Sequence, residues 1–143
     1  LSFFAEEYIP GREFNVAILG DQILPPAEMR FSDKYQGWNI LTYEAKWDEN
    51  AGAYQESNRS FDFEPHIRQQ LCDLALSVKE KLDLRGYTRI DFRLSQDEKL
   101  YVIDLNTNPC IAADSGFMAM ANQVRLSPQQ VIERIVADAN FSF

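Results

Sequence analysis

Asp91, Asp104 and Asn106 are three hard-oxygen side chains that two neighbouring extended segments can bring to one place. The segments are Tyr87-Thr-Arg-Ile-Asp-Phe-Arg-Leu94 and Leu100-Tyr-Val-Ile-Asp-Leu-Asn106. Strand side chains alternate with period two, so Asp104 and Asn106 point the same way. A turn at Ser95-Gln-Asp-Glu98, centred between Asp97 and Glu98, sets Asp91 opposite Asp104 and Arg89 opposite Asn106. A one-residue slip would undo that arrangement. Two carboxylates and an amide, without sulfur or imidazole, suit Mg2+ held jointly by protein and by a nucleotide's phosphates. Arg89 beside them adds a fixed cation for a developing oxyanion. By spacing alone, alternating acidic residues are also what the solvated face of a sheet presents. The second segment, however, runs into Thr107-Asn-Pro-Cys-Ile-Ala-Ala-Asp-Ser115, where Pro109 stops the ladder. Loops of small residues at strand ends are where ligand sites are commonly built.

The surrounding elements must position that hairpin. Glu13 to Leu19 alternates apolar and polar residues, Gly20-Asp21 supplies a turn, and Gln22 to Met29 resumes an extended pattern, which together read as a hairpin. Arg30 to Asp62 is polar and broken by Gly37 and Gly52, long for a structureless connection, so it is either functional or disordered. From Pro65, Ile67, Leu71, Leu74, Ala75, Val78 and Leu82 recur at three and four, predicting an amphipathic helix with proline in its first turn. Gly86 ends the connection into the strand at Tyr87. In that strand Ile90, Phe92 and Leu94 form the face packed on helices, and Arg89, Asp91 and Arg93 the face that meets ligand. Gly116 to Asn122 reads as a short helix. Ser127-Pro128 opens a final helix with Val131, Ile132, Ile135 and Val136 as its buried stripe. The class is α+β, a mixed, largely antiparallel sheet flanked by helices.

With 143 residues, 45% of them hydrophobic and 13% aromatic, the chain is one domain or one lobe of a larger one and can bury a real core. Its 22 acidic and 14 basic residues give a formal charge of -8, which argues against nucleic-acid binding. No apolar run approaches the roughly 20 residues needed to cross a bilayer, and no signal-peptide pattern opens the chain. Cys72 and Cys110 form no zinc motif. A reduced, cytoplasmic setting with no membrane partner is expected. The chain begins at Leu1 within a strand-like apolar run, so a fragment of a longer protein is expected.

The run Val-Ile-Asp-Leu-Asn-Thr-Asn-Pro, with Asp104 thirteen residues after Asp91, resembles the metal-binding hairpin of ATP-grasp ligases, nearest the D-alanine–D-alanine ligase branch. Glu6-Glu-Tyr-Ile-Pro-Gly-Arg-Glu13 is similar to that branch's nucleotide-binding segment, and Tyr43-Glu-Ala-Lys-Trp47 to its mobile loop. The resemblance implies that residues 1–143 are the C-terminal ATP-grasp lobe of a larger enzyme, inactive alone. It implies an ATP-dependent carboxylate–amine ligase working through an acyl phosphate. ATP, magnesium (two ions, with manganese a substitute), small amino-acid-like substrates and the rest of the same enzyme are its implied partners, and a homodimer is compatible with it. A nucleotide-binding or interaction module without catalysis, or a ligase for a different amino-acid pair, is the alternative.

Carried over position by position, the resemblance makes Asp91, Asp104 and Asn106 the metal ligands, although the branch more often has Glu where Asp104 stands. Arg89 falls where a guanidinium stabilises the acyl-transfer transition state, and Lys46 where a loop lysine reaches phosphate. Glu13 matches the acid that binds the ribose hydroxyls, while Glu6, Glu7 and Ile9 lie on the stretch that meets adenine largely through backbone groups. Gly11 would provide the turn that brings Glu13 to the nucleotide. Ser115 matches a serine that binds the second substrate's carboxylate; a helix N-cap is its simpler reading, and the two are compatible. Cys110 stands where these ligases usually have glycine, and Trp47 where they usually have tyrosine, which implies a different acceptor.

Overall fold

In a computed structural model, the structure describes residues 3, 5–31 and 57–138. Among them are strands β1 (Gly11–Leu19), β2 (Gln22–Ile23), β3 (Ala27–Phe31), β4 (Ser57–Ser60), β5 (Tyr87–Ser95) and β6 (Leu100–Asn106). The helices are α1 (Pro65–Lys81), α2 (Gly116–Gln123) and α3 (Pro128–Asp138). The strands form one sheet in the order β4-β3-β1-β5-β6, with β2 also on β1. Every pairing among the described residues is antiparallel, which bears out the expected α+β class with its largely antiparallel sheet flanked by helices.

Period-two alternation divides each central strand between two layers. Phe14, Val16 and Ile18 of β1 and Ile90, Phe92 and Leu94 of β5 pack on Ile67, Leu71 and Ala75 of α1. On the opposite face, Ala17, Leu19, Leu24 and Ala27 meet Phe117, Met118, Met120 and Ala121 of α2 and Val131 of α3. Each fully buried Phe, Leu or Ile here contributes about 1.5–3 kcal/mol of transfer free energy. Helices therefore lie on both faces. The face read as meeting ligand is covered by α2 and α3 over its Ala17–Leu19 half, and its polar residues occupy the other half.

Several local expectations change for identifiable reasons. The first hairpin is interrupted at Pro25-Pro26, which have no N–H to donate: Ile18 pairs with Ile23, but Asn15 pairs with Ala27, one residue out of step. The polar stretch after Arg30 contains a strand, because β4 runs antiparallel to β3 from Glu28↔Ser60 to Phe31↔Ser57. As the sheet's edge it needs backbone partners but little apolar patterning, so its Ser-Asn-Arg-Ser sequence carried no signal. Helix α1 starts at Pro65 as its periodicity predicts.

Helix α3 is capped by Ser127, whose Oγ accepts from Gln130 N at 3.2 Å while the Gln130 side chain accepts from Ser127 N at 2.9 Å. Its apolar stripe is only half buried. Val131 is fully buried, whereas Ile132 and Val136 are 51% and 59% exposed. The rows 131/135 and 132/136 lie about 100° apart around the helix, and only the first reaches the core. Among the described residues, no helix is long and apolar enough to cross a membrane.

Candidate active site

The β5–β6 hairpin brings the predicted oxygen ligands together by an unexpected route. Leu94 pairs with Leu100, Glu98 N donates to Ser95 O at 3.1 Å, and Ser95 N donates to Lys99 O at 2.9 Å, so the turn is centred on Asp97. That register alone would set Asp91 opposite Ile103. A bulge opposite the Asp91/Phe92 step leaves Ile103 as the extra residue and restores the pairs Asp91↔Asp104 and Arg89↔Asn106. Cross-strand partners of this kind have Cβ atoms about 4.5–5.5 Å apart.

Asp91 is the buried anchor of the cluster, at 4% exposure. Its Oδ1 and Oδ2 accept from Arg89 Nε and Nη2, each at 2.8 Å, and Oδ1 also accepts from Asn15 Nδ2 at 2.9 Å. Burial opposes the charge on Arg89. The hydrogen bonds to Asp91 and the charges of Asp91, Asp104 and Glu13 outweigh it, so the guanidinium pKa lies above the ordinary arginine value. Asp104 is exposed and Asn106 half-buried. Asn106 Oδ1 accepts from Asn108 N at 2.9 Å, and the Tyr87 hydroxyl donates to Asn108 Oδ1 at 2.5 Å, which pins the loop where it leaves β6.

This donor set fits a hard divalent cation. Asp104 faces outward opposite Asp91, and a carboxylate has about four lone-pair sites, so Asp91 has capacity beyond Arg89 and Asn15. Among the described residues no three His, Cys, Asp or Glu side chains converge. Asp91, Asp104 and Asn106 could supply two carboxylates and an amide to such a cation, which takes about six oxygens in all.

Glu13 lies on the same face of the sheet as Asn15 and Asp91. Glu13 is buried directly opposite Arg93, with Arg93 Nη1 3.4 Å from Glu13 Oε2, and the Arg93 guanidinium lies 5.3 Å from the Tyr8 ring centroid. Glu6 and Glu7 are exposed and Ile9 half-buried on an irregular strap that enters β1. Gly11 is not a turn residue. It is the first residue of β1, at φ +150°, and a Cβ there would meet Leu94 O at 2.0 Å. On the α1 face of the sheet, Arg12 bonds Glu28 at 2.6 Å and Glu64 at 2.9 Å, fixing the residue between Gly11 and Glu13.

Ser115 caps α2, its Oγ accepting from Met118 N at 3.2 Å, and the Arg59 guanidinium lies against the adjoining Gly116. Cys110 is exposed in the preceding loop. Lys46 and its Tyr-Glu-Ala-Lys-Trp context lie outside the described residues. Arg93 lies, as its alternation with Asp91 implies, on the ligand-facing side of β5, while Asn15 and Tyr8 belong to the cluster without having been singled out from sequence. Only the alternation Glu13, Asn15, Ala17 hinted at Asn15, and its partner Asp91 is 76 residues away.

A family model described as "D-ala D-ala ligase C-terminus" matches residues 2–137. The chain belongs to this family. It is 37% identical over 111 residues to a D-alanine–D-alanine ligase of Desulfotalea psychrophila, covering 76% of this chain and 33% of the relative. To the D-alanine–D-alanine ligase of Lawsonia intracellularis it is 30% identical over 131 residues, covering 92% and 41%. The chain therefore spans well under half the length of these curated relatives. Its fold is that of the Bacillus anthracis D-alanine–D-alanine ligase complexed with ATP, at TM-score 0.70 and 19% identity over 93% of this chain and 39% of that one. The VanG D-Ala:D-Ser ligase of Enterococcus faecalis superposes at TM-score 0.66 and 16% identity, over 92% and 37%.

Proposed function

We propose that the protein containing this chain is an ATP- and magnesium-dependent carboxylate–amine ligase, residues 1–143 being the C-terminal ATP-grasp lobe that supplies nucleotide and metal ligands. The observation that carries this reading is the pairing of buried Asp91 with exposed Asp104, with Arg89 clamped alongside. Structural ion pairs of strand residues do not need a second carboxylate facing the first. Membership of a ligase family supports the reading, and so do relatives named D-alanine–D-alanine ligase.

In the proposed reaction a carboxylate oxygen attacks the γ-phosphorus of ATP, ADP leaves, and an acyl phosphate forms. An amine then attacks the carbonyl carbon, phosphate leaves, and the nitrogen gives up a proton to yield a peptide-type amide. Most of the acceleration in such chemistry is positioning and charge stabilisation. Magnesium, held by Asp91, Asp104 and Asn106, would neutralise phosphate charge when bound. Arg89 is oriented by its two bonds to Asp91, which leaves its other donors for the tetrahedral oxyanion. Glu13 would accept from the ribose hydroxyls, with Glu6, Glu7 and Ile9 lying along the base. Lys46 would clamp phosphate. Ser115 and the α2 N-terminus would receive the acceptor's carboxylate. Cys110 and Trp47, which depart from the usual family residues, favour a substrate pair other than two D-alanines.

The test is ADP release by the complete protein with ATP, magnesium and a panel of D- and L-amino acids, with hydroxylamine present to trap the acyl phosphate as a hydroxamate. Amino-acid-stimulated ADP and a trapped hydroxamate are expected. ATP binding without amino-acid-stimulated ADP release would leave a nucleotide-binding module and refute the ligase.

A further inference from the structure

We propose that Arg93, which the scheme above does not use, is a positioning residue that holds Glu13 and Tyr8 as one nucleoside-binding unit. The inference rests on the reading that ATP's ribose meets Glu13.

Arg93 and Glu13 are direct cross-strand partners at the centre of the sheet, their side chains only 4% and 5% exposed. A carboxylate this buried keeps its charge only beside a cation, and it must keep it to accept from two vicinal hydroxyls. Arginine is the side chain that never surrenders its charge. At 3.4 Å the pair is a charge contact and not a tight bidentate clamp. The same guanidinium presents itself to the Tyr8 ring at 5.3 Å. Tyr8 sits midway along the irregular Ala5–Pro10 strap, which has no ladder of its own to hold it.

One planar cation therefore touches both the carboxylate on β1 and the strap that precedes it. Two further restraints act between them: Gly11 is pressed against the Leu94 carbonyl, and Arg12 is anchored to Glu28 and Glu64 on the far side of the sheet. The neighbouring Arg89 is committed to Asp91, so the two arginines of β5 divide the site: Arg89 serves the phosphate end and Arg93 the nucleoside end. A lysine at position 93 would supply charge without the planar face, so charge and stacking are separable by substitution.

The experiment compares kcat and KM for ATP and for 2′,3′-dideoxyATP in the complete protein, using wild type, Arg93→Met, Arg93→Lys, Glu13→Gln and the Glu13→Gln/Arg93→Met double variant. Wild type should prefer ATP by about tenfold or more in kcat/KM, the usual penalty for leaving a charged acceptor without its hydroxyls. Arg93→Met should raise KM for ATP about tenfold with kcat within about threefold, and should erase the preference. Arg93→Lys should keep part of it. In the Glu13→Gln background, Arg93→Met should not change the ATP to dideoxyATP ratio further, because its effect on the sugar runs through Glu13. Should Arg93→Met fail to fold, Arg93→Lys and the double variant, which removes both buried charges, carry the test. Undiminished preference for ATP in the folded Arg93 variants, or a fall in kcat with KM unchanged, overturns the role of Arg93 alone. A wild-type enzyme indifferent to the sugar hydroxyls overturns the placement of ribose at Glu13 and this inference with it.

Discussion

Replacing Asp104 by Asn should abolish turnover while leaving the fold as stable as before. Asp104 is exposed on the edge strand, opposite Asp91. Two unit charges about 5 Å apart in an effective dielectric of about 40–80 repel by about 0.8–1.7 kcal/mol. Arg89 interacts with both carboxylates and offsets a comparable amount. The net change in stability is therefore within about ±0.5 kcal/mol, the range for a surface substitution. Asp91→Asn is the contrasting perturbation. It weakens three bonds, at 2.8, 2.8 and 2.9 Å, and leaves the Arg89 side chain, only 19% exposed, facing a neutral amide. That should cost about 2–4 kcal/mol.

The assay pairs thermal unfolding of the complete protein with ADP release titrated against magnesium. Asp104→Asn should melt with wild type and lose at least about a hundredfold in turnover, as expected for removal of a metal ligand. Asp104→Glu, one methylene longer, should retain turnover and need less magnesium. The reasoning fails if Asp104→Asn turns over within about twofold of wild type at limiting magnesium, for Asp104 would then be only a solvated edge residue.

Three further outcomes test the architecture. Gly11→Ala puts a Cβ 2.0 Å from the Leu94 carbonyl oxygen and should cost on the order of 3 kcal/mol or more in denaturant unfolding, so a neutral result would contradict the close approach of β1 and β5. Asp97 in the hairpin turn has its pKa lowered to about 2, first by its bond to Lys99 and then by Ser95. Because the folded value is depressed, this stabilisation is present above the ordinary aspartate pKa of 3.8 and is lost as pH falls towards about 2; Lys99→Ala should move the Asp97 carboxyl titration, followed by NMR, back towards 3.8. Val131→Ala should cost about 2 kcal/mol in denaturant unfolding, whereas Ile132→Ser should leave stability nearly unchanged, reversing what a uniformly buried α3 stripe would give.

Local periodicity was enough to read α1, the β5–β6 hairpin and the start of α3, because each is a short-range pattern carried by its own residues: Pro65 with the Ile67–Leu71–Ala75 row, the alternation around Ile90 and Phe92, and Ser127-Pro128. Edge strand β4 was not legible, since backbone pairing rather than side-chain pattern makes it a strand. Nor was the exposed half of the α3 stripe, because an apolar row does not encode which neighbour it meets.

Asp91, Asp104, Asn106 and Arg89 could be named from residue types and spacing, since a strand's alternation and a hairpin's register act within a few residues. The register itself came out as expected only because the Ile103 bulge compensated for a turn centred half a residue early, which shifts the pairing by one residue. What tertiary structure alone decided is the company those residues keep: Asn15 on Asp91, Arg93 on Glu13 and Tyr8 over Arg93 all depend on β1 lying beside β5. That pairing joins segments some 76 residues apart. It is set by burial of Phe14, Val16, Ile90 and Phe92 against α1, a collective gain in apolar contact that no local stretch of sequence records.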